Sequence, residues 1–206
     1  MSDSDSRERF ELISGLTLAL LAAVTALNDL QAGKYGEDEI MGHNQRASAY
    51  AWYQSKSIKE TAVTQELSLL NSLIAAGALA PEVKPSMEKR TAALQGEVDR
   101  YKAEKNEILK GSAAVGTAGQ VLADKSGNKG NVIGAQEWEE KLAVLETSGD
   151  FFDCATLWLQ LSLVCGAISL VLKRPDLKKG FYIAMILLGI LGAFYSLRGW
   201  NLAVTA

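Results

Sequence analysis

Two runs of residues decide the fold: FFDCATLWLQLSLVCGAISLVL (151–172) and GFYIAMILLGILGAFYSL (180–197). Asp153 is the only charged residue of the first run, and the second run has none. Each run is close to the roughly 20 apolar residues that a helix needs to cross a hydrocarbon core about 30 Å thick. We therefore expect two transmembrane helices, joined by the short basic loop 173–179.

A third apolar run, Leu12–Leu27, also lacks charged residues and reaches the length of a membrane span as residues 10–30. The alternative is a cleaved signal peptide. However, the segment before the run is not positive, because Arg7 and Arg9 are outnumbered by acidic residues, and the run is long for a signal sequence. The sequence therefore predicts an uncleaved first transmembrane helix.

The loop KRPDLKK (173–179) sets the expected orientation. It carries four basic residues, and Pro175 interrupts the helix, so the loop is expected on the cytoplasmic side. Tyr195 and Trp200 mark the other end of the third span, where interfacial aromatic residues belong. Following the chain backwards, the N-terminus lies inside and residues 28–150 lie on the outer side.

Most of the Asp, Glu, Lys and Arg residues lie between the first and second spans. Good helix formers and the positions of Pro81 and Pro85 predict helices in this segment at about 37–76, 86–110 and 134–150. The glycine-rich residues 111–131 are expected to form either a flexible loop or a small-residue helix followed by a turn.

The predicted fold class is thus an all-α membrane protein, with three transmembrane helices and a long helical hairpin-like domain between spans 1 and 2. The expected boundaries follow the chain in this order: cytoplasmic N-terminus 1–9, span 10–30, extramembrane domain 31–150, span 151–172, cytoplasmic loop 173–179, span 180–198 and C-terminal tail 199–206.

One face of the first long extramembrane helix is small and uncharged. Its positions step by three or four residues and so share a face. A seam rich in Ala and Gln buries little apolar area, and it favours close, coiled-coil-like packing against another helix over a globular core. We call this face the uncharged stripe; its members are Ala47, Ala51, Gln54, Ile58, Ala62, Gln65, Leu69 and Leu73.

The stretch AYAWYQSKSIKE (49–60) lies on the same helix and combines aromatic rings with lysines. Trp52 or Tyr53 lies one turn from Lys56, so the ammonium group can cover a ring within the helix. Such a cluster is typical of headgroup anchoring or of docking on a neighbouring helix, and docking is favoured because Trp52 lies about 20 Å from the expected helix start. The hypothesised interaction surface is Trp52, Tyr53, Gln54, Lys56 and Lys59.

Residues typical of catalysis or metal binding are scarce. His43 is the only histidine, and Cys154 and Cys165 share one span about 16 Å apart along its axis. No phosphate-binding loop or nucleophile motif is present in the sequence, so we expect no catalytic residue, no cofactor and no metal. A net charge of −3 without a basic stripe gives no indication of nucleic-acid binding.

The second span contains four polar side chains that are candidates for a role inside the membrane. Asp153 and Gln160 are seven residues apart and face the same way, and Ser162 and Ser169 follow in the same span. Structural hydrogen bonding and an ion path are the two interpretations. Small residues of the second and third spans are expected to permit close helix packing, within the chain or between chains.

The sequence also resembles a known family. Residues 51–59 (AWYQSKSIK), 157–174 (LWLQLSLVCGAISLVLKR) and 187–194 (LLGILGAF) are similar to the bacterial membrane proteins of the domain-of-unknown-function family 4337. The resemblance implies a helical protein of the bacterial inner membrane. It implies no activity and supplies no active-site residues.

The leading functional hypothesis is a non-enzymatic structural or scaffolding membrane protein that self-associates, or acts as an accessory subunit, through its helical domain. Membrane lipid, further copies of the chain and another membrane protein are the expected partners. One alternative is an oligomeric channel or transporter component, with a pore lined by Gln160, Ser162 and Ser169. The other is a sensor or enzyme subunit at the membrane surface, with a pocket near Trp52, Tyr53, Lys56 or His43.

Overall fold

The computed structural model describes residues 3–123 and 127–205, and for these the prediction of an all-α protein is confirmed. The helices are α1 (Asp3–Ala75), α2 (Lys84–Lys110), α3 (Ser112–Gly119), α4 (Ala135–Val171) and α5 (Pro175–Ala203). Three of them, α1, α4 and α5, are long and apolar enough to cross a membrane, as the three apolar runs predicted.

Two helices are longer than the sequence suggested. α1 continues through residues 31–36, between the expected span and the expected helix at 37–76. α4 likewise runs from Ala135 into the second apolar run without a break. α1 and α4 contain no proline. Every interior N–H group therefore keeps its hydrogen-bond acceptor, and both helices continue.

The chain divides into two compact units. The first unit, which we call the apolar bundle, contains residues 1–41 and 141–206. The second unit, which we call the polar hairpin, contains residues 42–140.

Glycines allow the helices of the apolar bundle to approach closely. A Cβ atom added to Gly166 would lie 2.5 Å from Met185 Sδ and 2.7 Å from Leu18 Cδ1. A Cβ atom on Gly192 would lie 2.7 Å from Leu159 Cγ and 3.0 Å from the Leu159 backbone nitrogen. These glycines therefore serve packing within the chain.

Polar contacts join the helices near both ends of the apolar bundle. The Asn28 side-chain amide donates to Thr156 Oγ1 at 2.8 Å, which ties α1 to α4. At the other end, the nearly buried Lys178 of α5 donates to Glu11 Oε1 of α1 at 2.7 Å. Since both contacts are specific in their donors and acceptors, they fix the register of α1 against its neighbours.

The two long helices of the polar hairpin are joined by a turn at residues 76–83. α1 ends at Ala75, and Gly77 follows with φ of 65°, a left-handed conformation that glycine adopts without strain. Its N–H donates to the Ile74 carbonyl at 3.1 Å. Pro85 then lies in the first turn of α2, where a missing N–H costs little.

The glycine-rich segment folds around the carboxylate of Glu107, which is fully buried near the end of α2. Ser112 Oγ donates to Glu107 Oε1 at 2.7 Å, and the backbone N–H groups of Val121 and Leu122 both donate to Oε2 at 2.8 Å. The carboxylate thus supplies acceptors to backbone groups that have no helical partner.

Of the two alternatives for residues 111–131, the helix followed by a turn is correct for the described part of the segment. α3 covers Ser112–Gly119 and is interrupted at Gly116, where φ is 67°. Residues 124–126 lie outside the described residues. Gly134 packs against the backbone at the end of α2. A Cβ atom added to Gly134 would collide with the Gly111 nitrogen and would lie 2.8 Å from the Leu109 carbonyl oxygen.

Candidate interaction surface

Two ion pairs join α1 to α2 at the centre of the polar hairpin. Lys56 Nζ of α1 lies 2.5 Å from Glu104 Oε2 of α2, and Lys105 Nζ of α2 lies 2.7 Å from Glu60 Oε2 of α1. Each helix therefore contributes one cation and one anion. The four side chains are 12–19% exposed, so their attraction is less screened than that of a surface pair.

The aromatic rings of the two helices lie beside these ion pairs. Lys105 Nζ lies 5.1 Å from the centre of the Tyr53 ring, and Lys56 Nζ lies 5.6 Å from the centre of the Tyr101 ring. Sequence analysis predicted that Lys56 could cover a ring of its own helix, and the structure places it beside a ring of the neighbouring helix. In this position the Lys56 ammonium group pairs with the Glu104 carboxylate and also lies beside the Tyr101 ring.

The hydrogen bond that Lys105 donates to Glu60 raises the pKa of Lys105 above its ordinary value, and partial burial opposes this rise only in part. We call the whole contact the charged seam; its members are Tyr53, Lys56 and Glu60 of α1 and Tyr101, Glu104 and Lys105 of α2.

A separate polar contact in the hairpin joins Tyr50 Oη to Glu139 Oε1 at 2.9 Å, and this hydrogen bond raises the pKa of Tyr50.

The structure divides the hypothesised interaction surface between two environments. Tyr53 and Lys56 lie half-buried in the charged seam. Trp52, Gln54 and Lys59 are exposed. The motif at 51–59 therefore presents one side to α2 and the other side to the surroundings.

Every member of the uncharged stripe is exposed. Ile58 is 71% exposed and Leu69 is 60% exposed, although both are large apolar side chains. α2 packs instead against the opposite face of α1, around Tyr53, Glu60 and Leu67. The long side chains of that face reach α2 with their charged ends and cover apolar surface with their stems, which Ala and Gln cannot do as well.

The uncharged stripe repeats every eleven residues. Ala47, Ile58 and Leu69 are equivalent, and so are Gln54 and Gln65. An eleven-residue repeat has about 3.67 residues per turn, close to a straight helix, so the stripe stays on one side of α1 over its whole length. An open groove of about 530 Å³ lies beside the middle of the stripe, lined by Tyr53, Gln54, Ser57, Ile58, Thr61, Ala62 and Gln65.

The four polar candidates of the second apolar run do not share a surface. Asp153 and Gln160 are exposed on α4, whereas Ser162 and Ser169 are buried inside the apolar bundle. Ser162 Oγ donates to the Leu159 carbonyl of its own helix at 2.7 Å. Within a single chain, the three residues expected to line a pore are therefore not brought together.

The histidine and cysteine candidates from the sequence lie on the two long helices α1 and α4. His43 is half-buried on α1, and Cys154 and Cys165 are free thiols on α4. Sequence reasoning missed the carboxylate of Glu107, although one signal was available. A glycine-rich segment directly after a helix contains backbone N–H groups without helical partners, and a nearby carboxylate is a strong acceptor for them.

These features define a class of helical protein: a polar hairpin held by cross-paired charges, together with three helices long and apolar enough to cross a membrane. The chain belongs to the family described as Domain of unknown function (DUF4337), whose model matches residues 11–202. The resemblance noted at 51–59, 157–174 and 187–194 is thereby confirmed. No curated protein and no solved structure matches the chain.

Proposed function

We propose that this chain is a non-enzymatic scaffold or accessory subunit of the bacterial inner membrane that associates with further copies of itself through the uncharged stripe of α1. One observation carries the proposal. The face of α1 that bears charge is already occupied by α2, whereas the opposite face, uncharged from Ala47 to Leu73, is exposed along its whole length.

The eleven-residue repeat favours a second copy as the occupant. Two identical helices in parallel register bring equivalent layers together, and such a repeat needs little supercoiling to keep them in contact. In this arrangement Gln54 meets Gln54 and Gln65 meets Gln65. An amide is both donor and acceptor, so each polar layer satisfies itself and penalises a shifted register.

The proposed membrane arrangement has an inside N-terminus and residues 28–150 in the periplasm. It is supported by the basic loop 173–179 between two apolar runs. Self-association then requires no ligand, because an isologous contact uses the same surface on both copies.

The test is the mass of the full chain extracted in mild detergent, measured by native mass spectrometry and by light scattering after size exclusion. We expect a discrete multiple of 22.1 kDa. The substitution Ile58→Lys places a charge in the middle of the uncharged stripe and is expected to lower the mass towards the monomer. Ser48→Glu is the matched control, because Ser48 is exposed on the same helix outside the stripe.

A monomeric wild-type chain would contradict the proposal. So would an assembly that Ile58→Lys leaves intact while circular dichroism shows the helices unchanged. In the second case self-association would stand, but the uncharged stripe would not be its surface.

A further inference from the structure

The outer face of α4 carries a polar group that the chain itself does not satisfy. Gln160 is exposed, and its side-chain amide makes no hydrogen bond to the residues that the structure describes. It lies near the middle of the apolar run 151–172, about 14 Å of helix from Phe151. The adjoining side chains are apolar and exposed, with Leu157 at 61% and Val164 at 53%.

The hydroxyl side chains of this run are either buried or hydrogen-bonded within the chain. Ser162 and Ser169 are buried inside the apolar bundle, and Thr156 contacts the Asn28 amide. These hydroxyl groups therefore face the interior of the apolar bundle, whereas Gln160 faces away from it. Hydrocarbon offers an amide neither a donor nor an acceptor, so a Gln at this depth needs a partner with both.

We propose that the outer face of α4 is a second contact between copies of this chain, in which the Gln160 side chains of two copies hydrogen-bond to each other across a two-fold axis. The proposal rests on the proposed function, in which α4 spans the bilayer and the chain self-associates. Two copies in one membrane place Gln160 at the same depth, and two amides facing each other supply the donor and acceptor that each lacks.

The spacing of exposed residues on α4 fits a helix pair. One row of these residues steps by four and three residues alternately, which is the heptad pattern of two parallel helices. Cys154, Leu161 and Ile168 are exposed beside this row. A polar residue in the middle of such a seam fixes its register, and Gln160 holds that position. The members of this outer face are Asp153, Leu157, Gln160, Val164, Ala167 and Val171.

At one end of this face Asp153 is exposed, and it makes no ion pair with the described residues.

Oxidative cross-linking of the full chain in membranes tests the contact. In a chain carrying Cys154→Ser and Cys165→Ser, we expect Gln160→Cys to form a disulfide-linked species of twice 22.1 kDa. Ala23→Cys is the matched control. Ala23 is exposed on α1 between Leu18, which packs on Gly166, and Asn28, which contacts Thr156, so it lies at a similar depth.

A second measurement follows self-association by fluorescence energy transfer between labelled copies diluted in lipid vesicles. We expect Gln160→Leu to weaken self-association by roughly fivefold or more, the size of one hydrogen bond between membrane helices. Gln160→Asn keeps the amide and is expected to retain most of the affinity.

The outcomes separate the two proposals. If Ile58→Lys lowers the mass but Gln160→Cys does not cross-link above Ala23→Cys, the chain self-associates and the α4 contact is wrong. If the wild-type chain is monomeric in both detergent and lipid, both proposals fail. A cross-link from Gln160→Cys to a species of any other mass overturns the assignment of a second copy.

Discussion

The apolar bundle and the polar hairpin bring helices together by opposite means. In the bundle, Gly166 and Gly192 remove side chains so that Met185 and Leu159 can approach a neighbouring backbone. In the hairpin, long charged side chains cross the seam in alternating pairs, and the buried carboxylate of Glu107 organises the adjoining segment. The bundle therefore depends on shape and the hairpin on matched polar partners. Substitutions that change volume and substitutions that change charge should separate the two units.

The largest expected effect is that of Glu107→Ala. The change removes the acceptor of the buried Ser112 hydroxyl, of the buried Leu122 N–H group and of the partly buried Val121 N–H group. We expect the hairpin to lose about 3 kcal/mol of stability, because each unsatisfied buried donor costs about 1–3 kcal/mol and relaxation recovers part of the sum. Hydrogen-exchange mass spectrometry of the full chain should show faster exchange in residues 112–134.

Glu107→Gln is the control, since it keeps one acceptor oxygen and is expected to fall between the wild type and Glu107→Ala. Exchange in the apolar bundle should stay unchanged in both variants. Unchanged protection of residues 112–134 in Glu107→Ala would show that the carboxylate does not hold this segment.

Gly192→Ala is the corresponding test of the apolar bundle. The added Cβ atom would approach the Leu159 backbone nitrogen to 3.0 Å, and backbone yields less readily than a side-chain end. We expect a loss of about 2 kcal/mol, as for other overpacked contacts, measured by unfolding the chain in increasing concentrations of a denaturing detergent.

Gly15→Ala is the matched substitution, because no atom lies within 4 Å of its added Cβ atom. There the better helix propensity of alanine should raise stability by about 0.5 kcal/mol. If the two variants behaved alike, close approach at Gly192 would not be what holds the bundle together.

The sequence predicted the apolar bundle more completely than the hairpin. Runs such as 151–172 and 180–197 are recognised by their near absence of charged residues. The length and apolarity that a membrane span requires do not depend on contacts with other parts of the chain. The face on which α1 meets α2 was harder to foresee. Apolar spacing pointed to Ile58 and Leu69, yet the contact uses Lys56 and Glu60, because ion pairs between helices depend on which residues α2 places opposite them.

The segment around Glu107 shows a second limit. Its glycines predict turns, but the acceptor of its backbone N–H groups is the Glu107 carboxylate. Glu107 belongs to the preceding helix, many residues away from Val121 and Leu122. A pattern confined to neighbouring positions does not contain that pairing. The sequence does not predict the continuity of α1 across residues 31–36 for a related reason, since the composition changes there although no residue breaks the helix.

The third prediction concerns the direction of the ion pairs in the charged seam. Lys105→Glu places a second carboxylate beside that of Glu60 and should cost about 1 kcal/mol. The double variant with Glu60→Lys should recover much of that loss. The thermal midpoint of the full chain, followed by circular dichroism, measures both.

The exposed pair Arg90–Glu66 offers the comparison. Its side chains are 49% and 46% exposed, against 19% and 16% for Lys105 and Glu60. The same exchange of charges there should change stability by less than about 0.5 kcal/mol. Equal effects at the two pairs would indicate that burial in the charged seam adds nothing.

The smallest effect is a pH dependence that only the hairpin should show. The hydrogen bond to Glu60 raises the pKa of Lys105 above its ordinary value of 10.5. Since the folded pKa exceeds the unfolded one, the stabilisation from Lys105 is complete below pH 10.5 and is lost as the pH rises through the folded value. We therefore expect the thermal midpoint of the wild type to fall more steeply than that of Lys105→Met above that pH. Tyrosines also ionise in this range, so the difference between the two chains carries the test, and parallel curves would show that the ammonium group adds no stability to the seam.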